Sequence, residues 1–132
     1  MVINMYIYLL NQIKNAQMAE KASLKTPYSD LKLSILDLLA KNKFIDKVEV
    51  KGRKLNKRTI EVFLNKKGSD NRVVQDIQLV SRPSRRIYIG YKDIKPVKGG
   101  FGMLVLSTPK GVIRDKEAKK LKVGGEVLFK IW

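Results

Sequence analysis

The chain contains neither cysteine nor histidine. No disulfide framework, zinc knuckle, cysteine nucleophile or histidine base can be built from it. The lack of cysteine fits a reducing compartment. Acids are also scarce: 12 Asp and Glu stand against 28 Lys and Arg, a net charge of +16. Those acids are scattered and do not form the pattern of a two-metal nuclease site. Lys98 to Gly102 is glycine-rich but lacks the Gly-Lys-Ser/Thr ending of a P-loop. Long hydrophobic runs are missing as well. Met1 to Leu10 is apolar, yet it has no basic leader region and no small-residue cleavage site. Asn11, Gln12 and Lys14 cut it far short of a membrane span, so it reads as a core helix. Together these absences point to a non-enzyme with no metal, cofactor, small-molecule substrate or membrane partner.

What the chain does have is cationic charge on a real core. Its 132 residues are 44% hydrophobic, enough for one compact unit or two small subdomains and too many for a disordered basic tail. A charge of +16 repels itself unless a polyanion neutralises it, so it predicts a partner more than a fold. Nucleic acid is the first candidate. An anionic membrane surface is the main rival, and the lack of an exposed amphipathic segment argues against it.

Ile3, Tyr6, Ile7, Leu10 and Ile13 recur at helical spacing, with Asn4 as a cap and an end between Asn15 and Met18. Lys25 to Tyr28 reads as a short extended piece, because Pro27 moves its predecessor out of the helical region. Ser29 or Asp30 caps a second helix with Leu31, Ile35, Leu38 and Leu39 on one face, ending near Asn42. Phe44 to Val50 and Thr59 to Leu64 read as strands around a basic loop, Lys51 to Lys57. The first half is thus an αβαββ unit, 1–65, bounded by a turn-rich linker, 66–72. The second half, 73–132, is mostly strand: Val73 to Val80, Ile87 to Ile89, Met103 to Leu106 and a last strand alternating Val127, Phe129 and Ile131. A loop with Pro96 and three glycines fills Tyr91 to Gly102. Asp115 caps a short helix to Lys122, with Ala118 and Leu121 facing inward. The fold class is α+β, as two different small subdomains packed together, the second mostly antiparallel β with one short helix.

Four groups of residues carry candidate chemistry. In the turn Ser107-Thr108-Pro109-Lys110-Gly111, the hydroxyls suit ribose, phosphate and base edges. Pro109 stiffens the turn, Lys110 supplies charge and Gly111 permits close backbone approach. An ordinary β-turn with solvated polar groups uses the same residue types. Gly124-Gly125-Glu126 sets two glycines and one acid in a basic neighbourhood. The glycines admit RNA backbone or make a tight turn into the last strand. Glu126 accepts from an amine or a 2′-hydroxyl, orients a lysine, or merely pairs with Lys110 or Lys122. Arg82, Arg85 and Arg86 run up to Tyr88; arginine grips phosphates and tyrosine stacks on bases. Alternation turns Tyr88 away from the face of Ile87 and Ile89 and exposes it. The loop with Lys51, Arg53, Lys54, Lys57 and Arg58 is a charge cluster, either solvated or touching phosphates.

Taken together, these segments resemble the bacterial-type ribosomal protein S eight of the small subunit, over essentially the whole chain. The family signature Ser-Thr-Ser-Lys-Gly, a following helix and Gly-Gly-Glu is similar to Ser107 to Gly111, Asp115 to Leu121 and Gly124 to Glu126 here. Its Arg-Pro and Arg-Ile-Tyr match Arg82-Pro83 and Arg86-Ile87-Tyr88, and its N-terminal helices match Ile13 to Ala16 and Leu31 to Ile35. Phe44-Ile45 matches the start of its strand. Two departures stand out. Pro109 replaces the usual Ser, which removes a hydroxyl and a backbone donor. The family's Asp-Pro near the start is Asn4-Met5, and an Arg of the first helix is Gln12.

The resemblance implies a structural constituent of the small ribosomal subunit, in the cytoplasm or in an organelle. It further implies a primary rRNA-binding protein that docks on a central-domain stem, helps assembly and touches neighbouring small-subunit proteins. It implies rRNA contacts at Tyr88, Ser107, Thr108, Pro109, Lys110, Gly111, Gly124, Gly125 and Glu126. Lys32, Lys54, Lys57, Arg85 and Arg86 are candidate phosphate contacts, and Pro27 and Ser29 add to the N-terminal set. The alternative is a general double-stranded RNA-binding or RNA-chaperone module.

Overall fold

The computed structural model describes residues 2–52, 58–65, 74–82 and 84–132. Side chains of residues 2–5 are not included in that description. The chain divides into two compact units, Val2–Val74 and Gln75–Trp132. Its elements are mixed helix and antiparallel strand, an α+β architecture. The expected linker 66–72 and the starting residue Val73 of the next strand lie outside the described residues, as do Arg53, Lys54 and Lys57.

The N-terminal unit has the expected αβαββ order: α1 (Val2–Met18), β1 (Ser23–Pro27), α2 (Asp30–Lys41), β2 (Lys47–Lys51) and β3 (Thr59–Phe63). Helix α1 begins at Val2, so Asn4 lies inside it and does not cap it. Tyr6, Leu9, Leu10, Ile13 and Ala16 are buried, whereas Ile7 is only half-buried. The inward stripe is therefore rotated by Leu9 relative to the sequence reading. Ser29 is the N-cap of α2 in extended backbone but makes no side-chain cap bond; Asn42 closes the helix. Asp30 instead accepts a hydrogen bond from the Tyr28 hydroxyl at 2.7 Å. That bond, with the Asp30 charge, raises the Tyr28 pKa above its ordinary value.

The three strands order as β1-β3-β2, all antiparallel. Alternation holds along β3: Ile60 and Val62 are buried, while Thr59, Glu61 and Phe63 are half-buried. Pro27 sits at the exposed end of an edge strand, where the N–H it lacks is not required. Phe44 and Ile45, expected as strand, are buried in the approach to a later-starting β2.

The C-terminal unit contains β4 (Ile77–Leu79), β5 (Tyr88–Ile89), two short 3₁₀ turns, β6 (Met103–Thr108), β7 (Gly111–Arg114), α3 (Asp115–Leu121) and β8 (Gly125–Ile131). Strands β4-β8-β6-β7 lie in that order, and β5 pairs with β8 as well. The extended run expected from Val73 to Val80 narrows to three residues of strand. On one sheet face Leu104, Leu106, Ile113 and Val127 pack with Ile94, Val97 and Ala118. Ala118 faces inward as expected, but Leu121 is 46% exposed. Helix α3 stops there, and Lys122 takes φ 57°. Val123 N–H then bonds the Ala118 carbonyl at 3.0 Å and Lys122 N–H bonds that of Lys119. This Schellman closure brings Val123, not Leu121, against the apolar cluster. Asp115 is the first helical residue and makes no cap bond; its carboxylate holds Arg114 Nε at 3.1 Å.

No helix among the described residues is long and apolar enough to cross a membrane. No group of metal-ligating side chains occurs among them either.

On the N-terminal sheet, Lys51 Nζ donates to Glu61 Oε1 at 2.5 Å. That bond holds the Glu61 carboxyl below its ordinary pKa and raises Lys51. A depressed carboxyl contributes stability above its unfolded pKa, and that stability is lost as pH falls through the folded value. Glu61→Gln should therefore lower the urea midpoint at pH 7. The gap to the parent protein should close once pH drops below the ordinary glutamate range, as read by parallel urea melts.

Candidate nucleic-acid interface

The sheet of the C-terminal unit brings three of the expected site residues into one row. Glu126 on β8 is the register partner of Tyr88 on β5 and of Ser107 on β6. Register partners share a sheet face, so Tyr88, Glu126 and Ser107 stand side by side. The face is not that of the α3 cluster, because Ser107 follows the inward Leu106 and alternation turns it over.

Local chemistry fixes each member. The Ser81 hydroxyl accepts from Ile87 N–H at 2.9 Å and lies 3.4 Å from the Ile87 carbonyl, to which it donates. That carbonyl also accepts from Val127 N–H at 2.8 Å. Ile87 is thus held from two sides, and the next residue, Tyr88, stands 68% exposed, as alternation predicts. Ser81 is fully buried, and sequence reasoning missed it. A polar residue within the polar run Ser81 to Arg86 gives little signal of burial. Arg82 and Arg85 exchange backbone hydrogen bonds at 3.0 Å, and both side chains are exposed, as is Arg86.

Glu126 pairs with neither Lys110 nor Lys122. Its Oε1 lies 4.0 Å from Arg86 Nη1. The side chain is only 14% exposed. Oε2 is buried and has no hydrogen-bond partner among the described residues. A buried carboxylate oxygen without a donor is costly, so this atom is poised to accept one.

The expected turn is the tip of a hairpin. Strand β6 runs through Thr108, Pro109 and Lys110 form the turn, and β7 starts at Gly111. Strand β7 was not expected; Val112-Ile113 was its only sign in the sequence. Thr108 Oγ1 accepts from Lys110 N–H at 3.1 Å and donates to the Gly111 carbonyl at 2.9 Å. The Thr108 proton is therefore committed to the turn itself. Ser107, in contrast, makes no side-chain hydrogen bond among the described residues. Pro109 occupies a central turn position, where fixed φ is favourable and no N–H is required. Gly111 has φ 112°, while Pro109 and Lys110 have none of the positive values of a mirror-image turn. The side chains of Pro109 and Lys110 are exposed.

The two glycines serve the protein's own packing. A Cβ on Gly124 would strike the Ile89 carbonyl and come within 2.9 Å of Gly90 Cα. A Cβ on Gly125 would strike the Ser107 carbonyl, with its carbon at 2.9 Å and Thr108 Cγ2 at 3.0 Å. Strand β8 needs both glycines to lie close to β5 and β6.

Lys32 is not displayed for phosphate. It is 7% exposed, and its ammonium donates to the buried Thr26 hydroxyl at 2.9 Å. Burial lowers its pKa. Lys32 precedes Ile35, Leu36 and Leu39 at helical spacing, which was the available signal. Pro27 is exposed and Ser29 half-buried. Arg58 lies 4.0 Å from the centre of the Tyr28 ring.

These features define a basic α+β protein that displays aromatic, hydroxyl and carboxylate groups on a sheet. Comparison with known proteins sharpens that class. The family model described as Ribosomal protein S8 matches residues 7–132. The small ribosomal subunit protein uS8 of Thermus aquaticus is 41% identical over 130 residues, 94% of each chain. Its counterpart in Kosmotoga olearia is 42% identical over 128 residues, again 94% of each chain. The uS8 of Thermus thermophilus is 38% identical over 130 residues, with the same coverage of 94% on both sides. The chain belongs to the Ribosomal protein S8 family, a family of structural, non-enzymatic proteins.

Gly125→Ala should cost about 1–3 kcal/mol, the scale of overpacking against a backbone that cannot retreat. Lys110→Ala should stay within about 0.5 kcal/mol of the parent, as for other exposed sites. Urea unfolding of both variants checks the contrast.

Proposed function

We propose that this protein is a structural constituent of the small ribosomal subunit and binds its rRNA directly. It docks on an irregular stem of the central domain, helps that domain assemble, and contacts neighbouring small-subunit proteins in the cytoplasmic ribosome. The observation that carries the reading is the Tyr88–Glu126–Ser107 row. An exposed ring and, among the described residues, a free hydroxyl and a buried carboxylate oxygen without a donor stand on three adjacent strands.

Each group has a distinct task. Tyr88 offers a stacking surface for an exposed base or ribose. Glu126 Oε2 accepts from a base amine or a 2′-hydroxyl, which satisfies an atom without a donor among the described residues. Ser107 donates or accepts beside it. Thr108 holds the hairpin tip, and Pro109 and Lys110 meet the RNA there. The glycines set the spacing of the row and do not themselves read RNA. Arg85, Arg86 and Lys110 neutralise phosphates and supply affinity that falls with salt. A regular A-form groove presents little sequence to such a row, so the target is distorted or unpaired.

Ser107→Ala should weaken binding of the cognate stem by about 1–2 kcal/mol, the scale of a lost hydrogen bond to a charged or buried partner. A scrambled duplex should be bound as before. Lys110→Ala should weaken both alike and reduce the log–log salt slope by about 1. Filter binding with both RNAs measures this. Equal losses on both RNAs for Ser107→Ala, or equal affinity of the parent protein for both, would instead mark a general double-stranded RNA binder.

A further inference from the structure

The α3 side of the C-terminal sheet carries a second cationic feature. A recess of about 140 Å³ has Ile94 and Pro96 in its lining and Lys95, Lys116 and Lys119 around it. The three lysines are exposed and have no ion-pair partner among the described residues. Asp115 also lines the recess, but its buried carboxylate is neutralised by Arg114 at 3.1 Å and does not oppose an anion. The 3₁₀ turn at Gly99–Gly100 closes one side without a side chain.

The position of this recess matters more than its charge. Ile94 and Ala118 belong to the apolar cluster that contains Leu106. Ser107 points to the other sheet face, with Glu126 and Tyr88 beside it. The sheet therefore separates the proposed reading row from the lysine recess. One RNA strand on the row does not reach the lysines without passing round an edge of the sheet.

We propose that the Lys95–Lys116–Lys119 recess takes the phosphate backbone of a second RNA segment, so that the C-terminal unit joins two segments across its sheet. Contact is through phosphates and is independent of sequence, because the recess offers ammonium groups over an apolar floor and, among the described residues, no side-chain hydroxyl, side-chain amide or unpaired carboxylate. This inference rests on the RNA-binding reading above and extends it from docking to bridging.

The test immobilises the central-domain stem, loads the protein at saturation, and measures capture of a labelled 20-base-pair duplex of arbitrary sequence. The charge-reversed variant K95E/K116E/K119E is compared with the parent, after circular dichroism shows that both are folded. The expected result is stem binding within about twofold of the parent and duplex capture reduced at least tenfold. Unchanged duplex capture overturns the inference. So does a tenfold loss of stem binding, since the recess would then belong to the first site. Competition by polyglutamate as strong as by the duplex, at equal charge, would mark an acidic protein segment as the occupant and also overturn it. Failure of the parent protein to prefer the stem over scrambled RNA sinks the earlier reading alone. Duplex binding by the lysine variant in solution then still decides whether the recess holds phosphate.

Discussion

The C-terminal unit depends on how closely β8 lies between β5 and β6. Gly124 and Gly125 make that approach possible, because any Cβ there meets the backbone of Ile89, Gly90 or Ser107. The register that results sets Glu126 between Tyr88 and Ser107. Steric constraint thus becomes chemical arrangement. The glycines supply no side chain, yet without them Tyr88, Glu126 and Ser107 do not align. Ser81 completes the constraint from the other side by pinning Ile87, so that Tyr88 projects from a fixed backbone.

Charge and selectivity reside in different features. The net charge of +16 attracts any polyanion and gives no preference among RNAs. Preference requires groups that fail when the wrong RNA is present. We propose Glu126 Oε2 as such a group: buried and without a donor among the described residues, it disfavours any complex that leaves it so. The lysine recess by α3, as proposed, adds attraction on the opposite sheet face without adding discrimination.

The fold was legible wherever apolar residues kept a period. Helix α2, strand β3 and the buried run Met103 to Leu106 were expected because several residues reported each one. Strand β7 had only Val112 and Ile113, too few to separate from a turn. Leu121 followed the helical period but lay at a terminus, where Schellman closure replaced it with Val123. At the site, sequence order and residue type indicated Tyr88, Ser107 and Glu126, and alternation exposed Tyr88. Their register was not legible, because pairing between distant strands leaves no local mark. The committed Thr108 hydroxyl, the packing role of the glycines and the burial of Lys32 were hidden for the same reason. Each depends on what the fold brings alongside.

We propose that one sheet face of the C-terminal unit reads RNA through the Tyr88–Glu126–Ser107 row. Ultraviolet crosslinking of the protein to small-subunit rRNA, followed by mass spectrometry of the peptides, addresses it directly. Crosslinks should concentrate at Tyr88 and the 107–111 hairpin and should join them to one short rRNA segment. Crosslinks confined to other surfaces, with Tyr88 and the hairpin unmodified at saturating rRNA, would contradict the claim.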